Sequence, residues 1–222
     1  MTAIDIIQPF WKPVGWTSFD VVKKIRSLTK IRKVGHAGTL DPFAEGVLIL
    51  CFGAATKRVS ELMKLEKEYM AWLRLGIATD TLDLTGSVVA ERRIPRLSPA
   101  AIKQQLPAFT GQISQIPPMY SALKVGGRRL YQLARAGQTV ERKPRPVVVH
   151  TLELADWRPP DELQLRVVCG KGTYIRVLAA DLATALGTVG HLIQLTRNRV
   201  GPYDQTRALT MKQALQWIPI AT

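Results

Sequence analysis

The sequence predicts an α+β fold, a mixed and largely antiparallel central sheet flanked by helices. Strand-like apolar runs and amphipathic helical segments alternate along the 222 residues without the regular spacing of βαβ units. A basic segment at about residues 115–146, with two prolines near each end and several glycines, interrupts this pattern and is typical of an inserted arm. We therefore expect a single domain over residues 1–222 that carries one arm.

The first third of the chain contains clear local signals. A capping box from Thr17 to Asp20 opens the first predicted helix. Its apolar face follows helical spacing: Phe19, Val22, Ile25 and Leu28. The apolar run Val47–Phe52 is typical of a buried strand. A second helix is predicted over residues 55–64, and a strand with alternating apolar positions over residues 69–75.

Later elements follow from caps, turns and periodicity. Ser98 suits a helix N-cap and Pro99 the first helical position, which predicts a helix to about Leu106. The remaining predicted elements are a short helix in the arm at residues 130–136, strands over 147–154 and 163–169, a helix over 174–186 after a glycine turn, and a last short helix opened by the capping box Thr210–Gln213.

The charge indicates a polyanionic partner. The net charge is +14 and the pI about 10.2, which favours RNA or DNA binding. Between Ser121 and His150 there are seven Lys or Arg residues and one acid, with Tyr120 and Tyr131 available for stacking. The alternative is a solvated basic surface that serves solubility. The arm residues predicted to contact RNA are Lys124, Arg128, Arg129, Arg135, Arg142 and Lys143.

Other compositional features predict a cytoplasmic protein. No run is long enough to span a bilayer, and the N-terminus lacks a signal-peptide pattern. Cys51 and Cys169 lie in apolar runs, as reduced and buried cysteines do. The three histidines are scattered, and no Cys or His spacing fits a zinc site, so we expect no bound metal.

The glycine-rich loop Gly35–Gly46 is the strongest candidate for chemistry. It places the carboxylate of Asp41 near His36 in a strongly basic chain. Asp41 followed by Pro42 is equally suited to a helix N-cap, although the strand-like run that follows leaves little room for a helix. His36 fits a turn residue, a phosphate contact or a general base, and the residues alone leave these open.

Two further residues are candidates to act with Asp41. Arg176, just after the turn at residues 170–172, would be its natural ionic partner; the alternative is a surface arginine or a phosphate contact. Tyr69 begins a predicted strand, and the structural alternative is a half-buried core tyrosine.

Seven segments match, in order, the motifs of a known family. They are Lys12–Ser18, Gly35–Gly46, Lys67–Tyr69, Thr79–Gly86, Ile116–Lys124, Gly170–Arg176 and His191–Gly201. In these segments the chain resembles the TruB family of tRNA pseudouridine synthases, over nearly its whole length. The resemblance implies the pseudouridine synthase fold with the arm gripping RNA. Many bacterial members continue into a small C-terminal RNA-binding domain of the PUA type, and we expect this chain to be a short form without it.

The resemblance also implies roles for matching residues. Asp41 would be the catalytic carboxylate, Arg176 would hold it ionised through an ion pair, and Tyr69 would stack on the target uracil. The other implied substrate-binding residues are Tyr174 and Leu195 in the base pocket, Asp83 near Arg176, His36 at the RNA surface, Lys12 and Pro13 in the site floor, and Gly38 and Thr39 in the loop.

The implied reaction converts the T-loop uridine of tRNA, uridine 55, to pseudouridine. It would need no cofactor and no metal, and we expect a monomer without an obligate protein partner. Three alternatives remain, and one of them, a basic structural protein, does not account for the order of the motifs. A guide-dependent relative of the dyskerin type would modify other RNAs within a complex, and a non-enzymatic RNA chaperone would fit the charge equally well. The chaperone alternative gives no reason for Asp41, Tyr69 and Arg176 to occur together.

Overall fold

The computed structural model describes residues 4–217. Its strands are β1 (Asp5–Lys12), β2 (Val34–Ala37), β3 (Glu45–Gly53), β4 (Lys67–Leu75), β5 (Ile77–Thr79), β6 (Val88–Glu91), β7 (Gly111–Gln115), β8 (Lys124–Val125), β9 (Arg128–Arg129), β10 (Arg145–Arg158), β11 (Glu162–Cys169), β12 (Gly190–Val200) and β13 (Tyr203–Asp204). Its α-helices are α1 (Ser18–Thr29), α2 (Val59–Leu62), α3 (Pro99–Gln105), α4 (Leu130–Arg135) and α5 (Ile175–Ala185). Strands pair mostly antiparallel, which confirms the predicted α+β class.

The described residues form two compact units. The first contains residues 4–69 and 195–217, and the second contains residues 70–194. Strands β4 and β12 each contribute residues to both units.

Strand β3 is the centre of the first unit. It pairs antiparallel with β1 and β2, and parallel with β12 through Thr196 and Glu45. Both of its faces are buried. Leu48, Leu50 and Phe52 pack with α1, while alternate residues such as Val47 and Ile49 pack in a second cluster. Burial on both faces explains why this strand reads as an unbroken apolar run.

Helix α1 confirms the predicted start but not the whole predicted face. Thr17 and Asp20 form the capping box, in which each side chain accepts a hydrogen bond from the other residue's backbone N–H. The apolar face is shifted, since Phe19 is 60% exposed and Val21 is fully buried. Helical spacing alone allowed either stripe, and packing against β3 selects the one that contains Val21.

Two other predicted helices are shorter than expected. The segment predicted as a helix over residues 55–64 is a 3₁₀ turn, Ala54–Arg58, followed by the single turn α2. The capping box at Thr210 and Gln213 is present, but it opens a 3₁₀ turn, Gln213–Leu215, and not an α-helix. Neither segment has the length that an α-helix needs to be stable.

In the second unit, β10 pairs antiparallel with both β11 and β7. The strands predicted over residues 147–154 and 163–169 are thereby confirmed, within longer bounds. Helix α3 begins as expected, with the hydroxyl of Ser98 accepting from the N–H of Ala101 and proline at the first position. Helix α5 and the short α4 are also confirmed. Across residues 4–217, no helix combines the length and apolar character needed to cross a bilayer.

Candidate active site

Asp41 lies in a tight turn that feeds β3. The N–H of Ala44 donates to the carbonyl oxygen of Asp41 at 3.1 Å, and β3 begins immediately afterwards at Glu45. No helix starts at Pro42, so the N-cap interpretation of Asp41 is wrong. Asp41 is partly exposed to solvent.

The buried ammonium group of Lys12 is hydrogen-bonded to this turn. Lys12 is fully buried, and its Nζ donates to the carbonyl oxygens of Pro13 at 2.8 Å, Trp16 at 2.6 Å and Pro42 at 3.4 Å. The N–H of Gly15 donates to the same Pro42 carbonyl at 2.8 Å. Through these bonds Lys12 connects Pro13, the other residue of the predicted site floor, to Pro42, the residue after Asp41.

Two further side chains hold the start of the loop. The hydroxyl of Ser18 accepts from the N–H of Leu40 at 2.9 Å and donates to the carbonyl of the same residue at 3.3 Å. Arg197, only 1% exposed, donates to the carbonyls of Val47 at 2.8 Å, Gly38 at 3.1 Å and Thr39 at 3.5 Å. The buried guanidinium of Arg197 is therefore stabilised by hydrogen bonds to main-chain carbonyls of the loop and of β3.

Close backbone packing fixes the end of the loop. At Gly46 the backbone has φ of +123°, and a β-carbon there would lie 2.3 Å from the carbonyl oxygen of Arg197. Only glycine fits this contact between β3 and β12. The glycine-rich character of the segment is thus a packing requirement as well as a property of the loop.

Burial lowers the pKa of Lys12 to about 8, from 10.5. The charge of Asp41 raises this pKa and that of Arg197 lowers it, both less than burial does. Between pH 8 and 10.5 the unfolded state therefore binds more protons at Lys12 than the folded state. We expect the free energy of unfolding to gain about 3 kcal/mol from this residue as the pH rises through that window.

Denaturant unfolding of wild type and Lys12→Met, at pH 7.5 to 10.5, tests this expectation. The difference between the two proteins is the relevant quantity, because burial also raises the pKa of Cys51 to about 11, which lowers stability with rising pH in both. Parallel stability curves for the two proteins would mean that Lys12 titrates normally.

Tyr69 follows a charged motif that is fixed by ion pairs. Arg199 donates to Glu66 at 2.7 Å and to Glu68 at 3.4 Å. The buried Lys67 donates to the main-chain carbonyls of the preceding turn, at 2.5 and 2.6 Å. Tyr69 itself is 8% exposed. The strand that carries this ring is therefore anchored at each of the three residues that precede it.

Arg176 is the centre of a buried cluster in the second unit. It is 3% exposed, and its Nη1 lies 3.4 Å from an Asp83 carboxylate oxygen. The same guanidinium donates to the carbonyls of Thr81 at 2.6 Å and Tyr120 at 2.8 Å. The expected proximity of Asp83 to Arg176 is confirmed.

The Asp83 carboxylate is itself held by several donors. Its Oδ1 accepts from the hydroxyl of Thr81 at 2.8 Å, and from the N–H and hydroxyl of Thr85 at 3.0 and 2.5 Å. Asp83 is 4% exposed, so both members of the ion pair are removed from water. Such a pair keeps a fixed geometry because every partner is also fixed.

Gln115 holds the backbone of Tyr174 in the same unit. Its Oε1 accepts from the N–H of Tyr174 at 3.0 Å, and its Nε2 donates to the carbonyl of that residue at 3.3 Å. Gln115 is 2% exposed and stands where the predicted arm begins. The side-chain amide of Gln115 thus pairs with both main-chain polar groups of Tyr174, as a neighbouring strand would. Tyr174 is the N-cap residue of α5 and lies two positions before Arg176.

The arm contains the hairpin β8–β9 and helix α4. Its tight turn, Gly126–Gly127, has positive φ at both residues, as a two-residue hairpin loop requires. Five of the six cations predicted to contact RNA are exposed: Lys124, Arg128, Arg129, Arg135 and Lys143. The sixth, Arg142, is half-buried, and its guanidinium donates to the carbonyl oxygen of Pro117 at 3.1 Å.

The ring of Tyr131 also belongs to the arm. The guanidinium carbons of Arg129 and Arg135 lie 5.9 and 5.6 Å from its centroid. Two cations are thereby held on an aromatic ring at the surface of the arm.

The predicted site residues fall into two groups. The first unit brings together Lys12, Pro13, Gly38, Thr39 and Asp41, and it also contains His36 on β2, Tyr69 and Leu195. The second contains Asp83, Tyr174, Arg176 and the arm. The Asp41–Arg176 ion pair and the individual roles of these residues stay predictions.

Three residues with structural roles at the site were not singled out from the sequence: Ser18, Gln115 and Arg197. Ser18 is the last residue of the Lys12–Ser18 motif, but nothing in the sequence indicated that its hydroxyl holds the loop. Gln115 looked like an ordinary polar residue at the start of the arm. Arg197 had one available signal, its place in the His191–Gly201 motif. Among the described residues, no group of three or more His, Cys, Asp or Glu side chains is arranged to hold a metal ion.

Comparison with known proteins gives consistent matches. Residues 26–175 match the model of the TruB family pseudouridylate synthase N-terminal domain, and residues 176–219 that of the tRNA pseudouridylate synthase B C-terminal domain. The chain is 46% identical over 209 residues to proteins named tRNA pseudouridine synthase B from Burkholderia pseudomallei and Thermobifida fusca. These alignments cover 94% and 91% of this chain, and 68% and 71% of the relatives.

A solved structure extends the comparison to the fold. The crystal structure of a Cbf5–Nop10–Gar1 complex contains a chain that matches with a TM-score of 0.76 at 28% identity. The match covers 97% of this chain but only 54% of that one, so this chain spans about half the length of its structural relative. The family models together cover most of the sequence and agree with the curated relatives. The chain therefore belongs to the TruB family of pseudouridylate synthases.

Proposed function

We propose that this protein isomerises the T-loop uridine of tRNA, uridine 55, to pseudouridine. The bond from N1 of uracil to C1′ of ribose breaks, the uracil turns, and C5 forms a new bond to C1′. The proton on C5 leaves, and N1 gains one. Reactant and product are isomers, so the reaction balances without an oxidant, a reductant or an added group.

Asp41 is the proposed catalytic residue. Its carboxylate attacks C1′, adds to the uracil ring, or removes the 2′ proton to form a glycal, and the three routes share the same carboxylate. Tyr69 stacks on the uracil, and Arg176 pairs with Asp41. Tyr174 and Leu195 line the base pocket. Four main-chain carbonyls of the loop, at Gly38, Thr39, Leu40 and Pro42, accept bonds from Arg197, Ser18 and Lys12, which supports a preorganised carboxylate.

Recognition of the RNA is the second part of the proposal. The target uridine must leave its stack, at a cost of about a few kcal/mol that contacts elsewhere offset. The exposed cations of the arm grip the folded T loop through its shape and backbone. We further propose that the protein acts as a monomer in the cytoplasm, without an obligate protein partner.

One observation carries this proposal: the 46% identity to relatives named tRNA pseudouridine synthase B, over nearly the whole chain. The match to Cbf5, which was solved in complex with Nop10 and Gar1, favours an activity that depends on partner proteins as the second candidate. Its lower identity, 28%, makes it the weaker of the two.

The test is release of tritium from a [5-³H]uridine-labelled tRNA transcript, with purified protein and no other protein, RNA, cofactor or metal. We expect about one tritium released per tRNA, and none when the T-loop uridine is replaced by cytidine. Release only after addition of a guide RNA and partner proteins would favour the second candidate.

A further inference from the structure

The segment that leads to the catalytic loop is unusually basic. Residues 21–40 contain six Lys or Arg residues and no Asp or Glu. All six lie in the first unit, whereas the arm lies in the second. The arm therefore does not account for this charge.

Five of these cations are exposed: Lys23, Lys24, Lys30, Arg32 and Lys33. The sixth, Arg26, is partly buried and donates to the carbonyl of Val34 at 2.5 Å, which joins α1 to β2. A cation at the end of a helix is favoured by the helix dipole, and this explains Lys30 at the C-cap of α1. It does not explain Lys23 and Lys24, which lie in the middle of the helix.

Lys23 and Lys24 line a surface groove of about 500 Å³. Its other lining residues are Gly15, Trp16, Asp20 and Ser27. Asp20 is the one acid among them, and its carboxylate already accepts from the N–H and hydroxyl of Thr17 at 2.9 and 2.7 Å. The groove therefore offers two exposed ammonium groups, the carboxylate of Asp20, a partly buried indole and a hydroxyl.

The groove begins beside the catalytic loop. Gly15, at one end, donates its N–H to the carbonyl of Pro42, the residue after Asp41. The carbonyl of Trp16 accepts from the Lys12 ammonium, which also bonds to Pro42. From Ser18 to Ser27 the helix rises about 14 Å, which is the length of a few nucleotides of RNA backbone.

We propose that this groove, with Lys23 and Lys24 as its phosphate contacts, binds the RNA strand that runs from the target uridine. The inference rests on the proposed function, since it assigns the groove to the same RNA substrate. The first unit then has a grip of its own on the nucleic acid, separate from that of the arm. Lys30, Arg32 and Lys33 extend the same basic surface beyond the end of α1.

The test compares charge removal in the groove with charge removal elsewhere. Lys23→Gln/Lys24→Gln removes the two groove cations, and Arg92→Gln/Arg93→Gln is the matched control, since both arginines are exposed and lie in the second unit. Lys23→Arg/Lys24→Arg keeps the charge. Binding of unmodified tRNA transcript is measured from 50 to 200 mM KCl, with the melting temperature as a folding control.

We expect Lys23→Gln/Lys24→Gln to weaken tRNA binding about tenfold at 150 mM KCl. The slope of log K against log salt concentration falls by about 1 to 2, because each phosphate contact contributes about 0.9. Lys23→Arg/Lys24→Arg binds tRNA as wild type does. The control, Arg92→Gln/Arg93→Gln, changes the slope by less than half as much as Lys23→Gln/Lys24→Gln does. In the control pair, Arg92→Gln/Arg93→Gln, the single-turnover rate at saturating protein stays within about twofold of wild type.

An unchanged slope in Lys23→Gln/Lys24→Gln, or a change equal to that of the control pair, would overturn the inference. Failure of the proposed function gives a different pattern, in which wild type binds tRNA but releases no tritium. The salt slopes of tRNA binding can still be compared between the variants in that case. The two ideas are therefore tested independently in one set of proteins.

Discussion

Asp41→Asn is expected to reduce tritium release from tRNA by more than about a thousandfold, equivalent to about 4 kcal/mol of transition-state stabilisation. An amide keeps the size of the carboxylate but lacks its charge, and it cannot act as the nucleophile or base that each proposed route requires. The measurement is single-turnover tritium release at saturating protein, so that weaker binding does not contribute to the loss.

The same variant is expected to fold and to bind tRNA. The hydrogen bonds that Lys12, Ser18 and Arg197 form with the loop go to main-chain atoms of residues 38–42, and the substitution removes none of these partners. The melting temperature and the tRNA dissociation constant should therefore stay within a few degrees and about threefold of wild type. Full activity in folded Asp41→Asn would refute the catalytic assignment.

A matched variant separates position from charge. Asp41→Glu keeps the carboxylate but moves it by about one carbon–carbon bond, in a turn that is closed by the Ala44–Asp41 hydrogen bond. We expect a loss of more than about a hundredfold, because misplacement by about 1 Å is costly at a reacting centre. An active Asp41→Glu would indicate that the loop adjusts to its side chain.

The elements that could be predicted from the sequence are those whose signal is local. The run Val47–Phe52 is uninterruptedly apolar because both faces of β3 are buried, and such a run predicts a buried strand. The start of α1 follows from its capping box. Strand β1 was not predicted, because Pro9 interrupts its pattern although it pairs with Ile49.

Strand β12 was not predicted for a different reason. Its polar residues look unlike those of a strand, yet Arg197 is buried against the loop at residues 35–46 and Arg199 is paired with Glu66 and Glu68. These partners are more than a hundred residues away in the sequence, so local patterns do not identify them.

The same distinction applies to the candidate site. The motifs predicted that Lys12 and Asp83 belong to the site, but they gave no indication of the contacts that these residues make. Lys12 bonds to Pro42, thirty residues away, and Asp83 faces Arg176 across the fold of the second unit. No sequence pattern indicated a role for Gln115. Its role is evident only from the structure, in which both polar atoms of its side-chain amide are hydrogen-bonded to the main chain of Tyr174.

Arg176→Met is expected to lower both stability and activity strongly. It leaves the buried Asp83 carboxylate without its cation, and it leaves the carbonyls of Thr81 and Tyr120 without these donors. Breaking one side of a buried ion pair costs about 3–5 kcal/mol. Chemical denaturation should show this loss, while Asp83→Asn in the same background should cost much less than it does in wild type, since the two residues act as a unit.

Arg176→Lys separates charge from geometry, because lysine keeps the cation but not the planar fork that reaches Asp83, Thr81 and Tyr120 at once. We expect a smaller loss of stability than in Arg176→Met, but a single-turnover rate reduced by about a hundredfold or more at an unchanged tRNA dissociation constant. A rate that follows stability alone through Arg176→Lys, Arg176→Met and Asp83→Asn would assign Arg176 to the fold. A rate that drops in Arg176→Lys while the protein stays folded would assign it to the chemistry of Asp41.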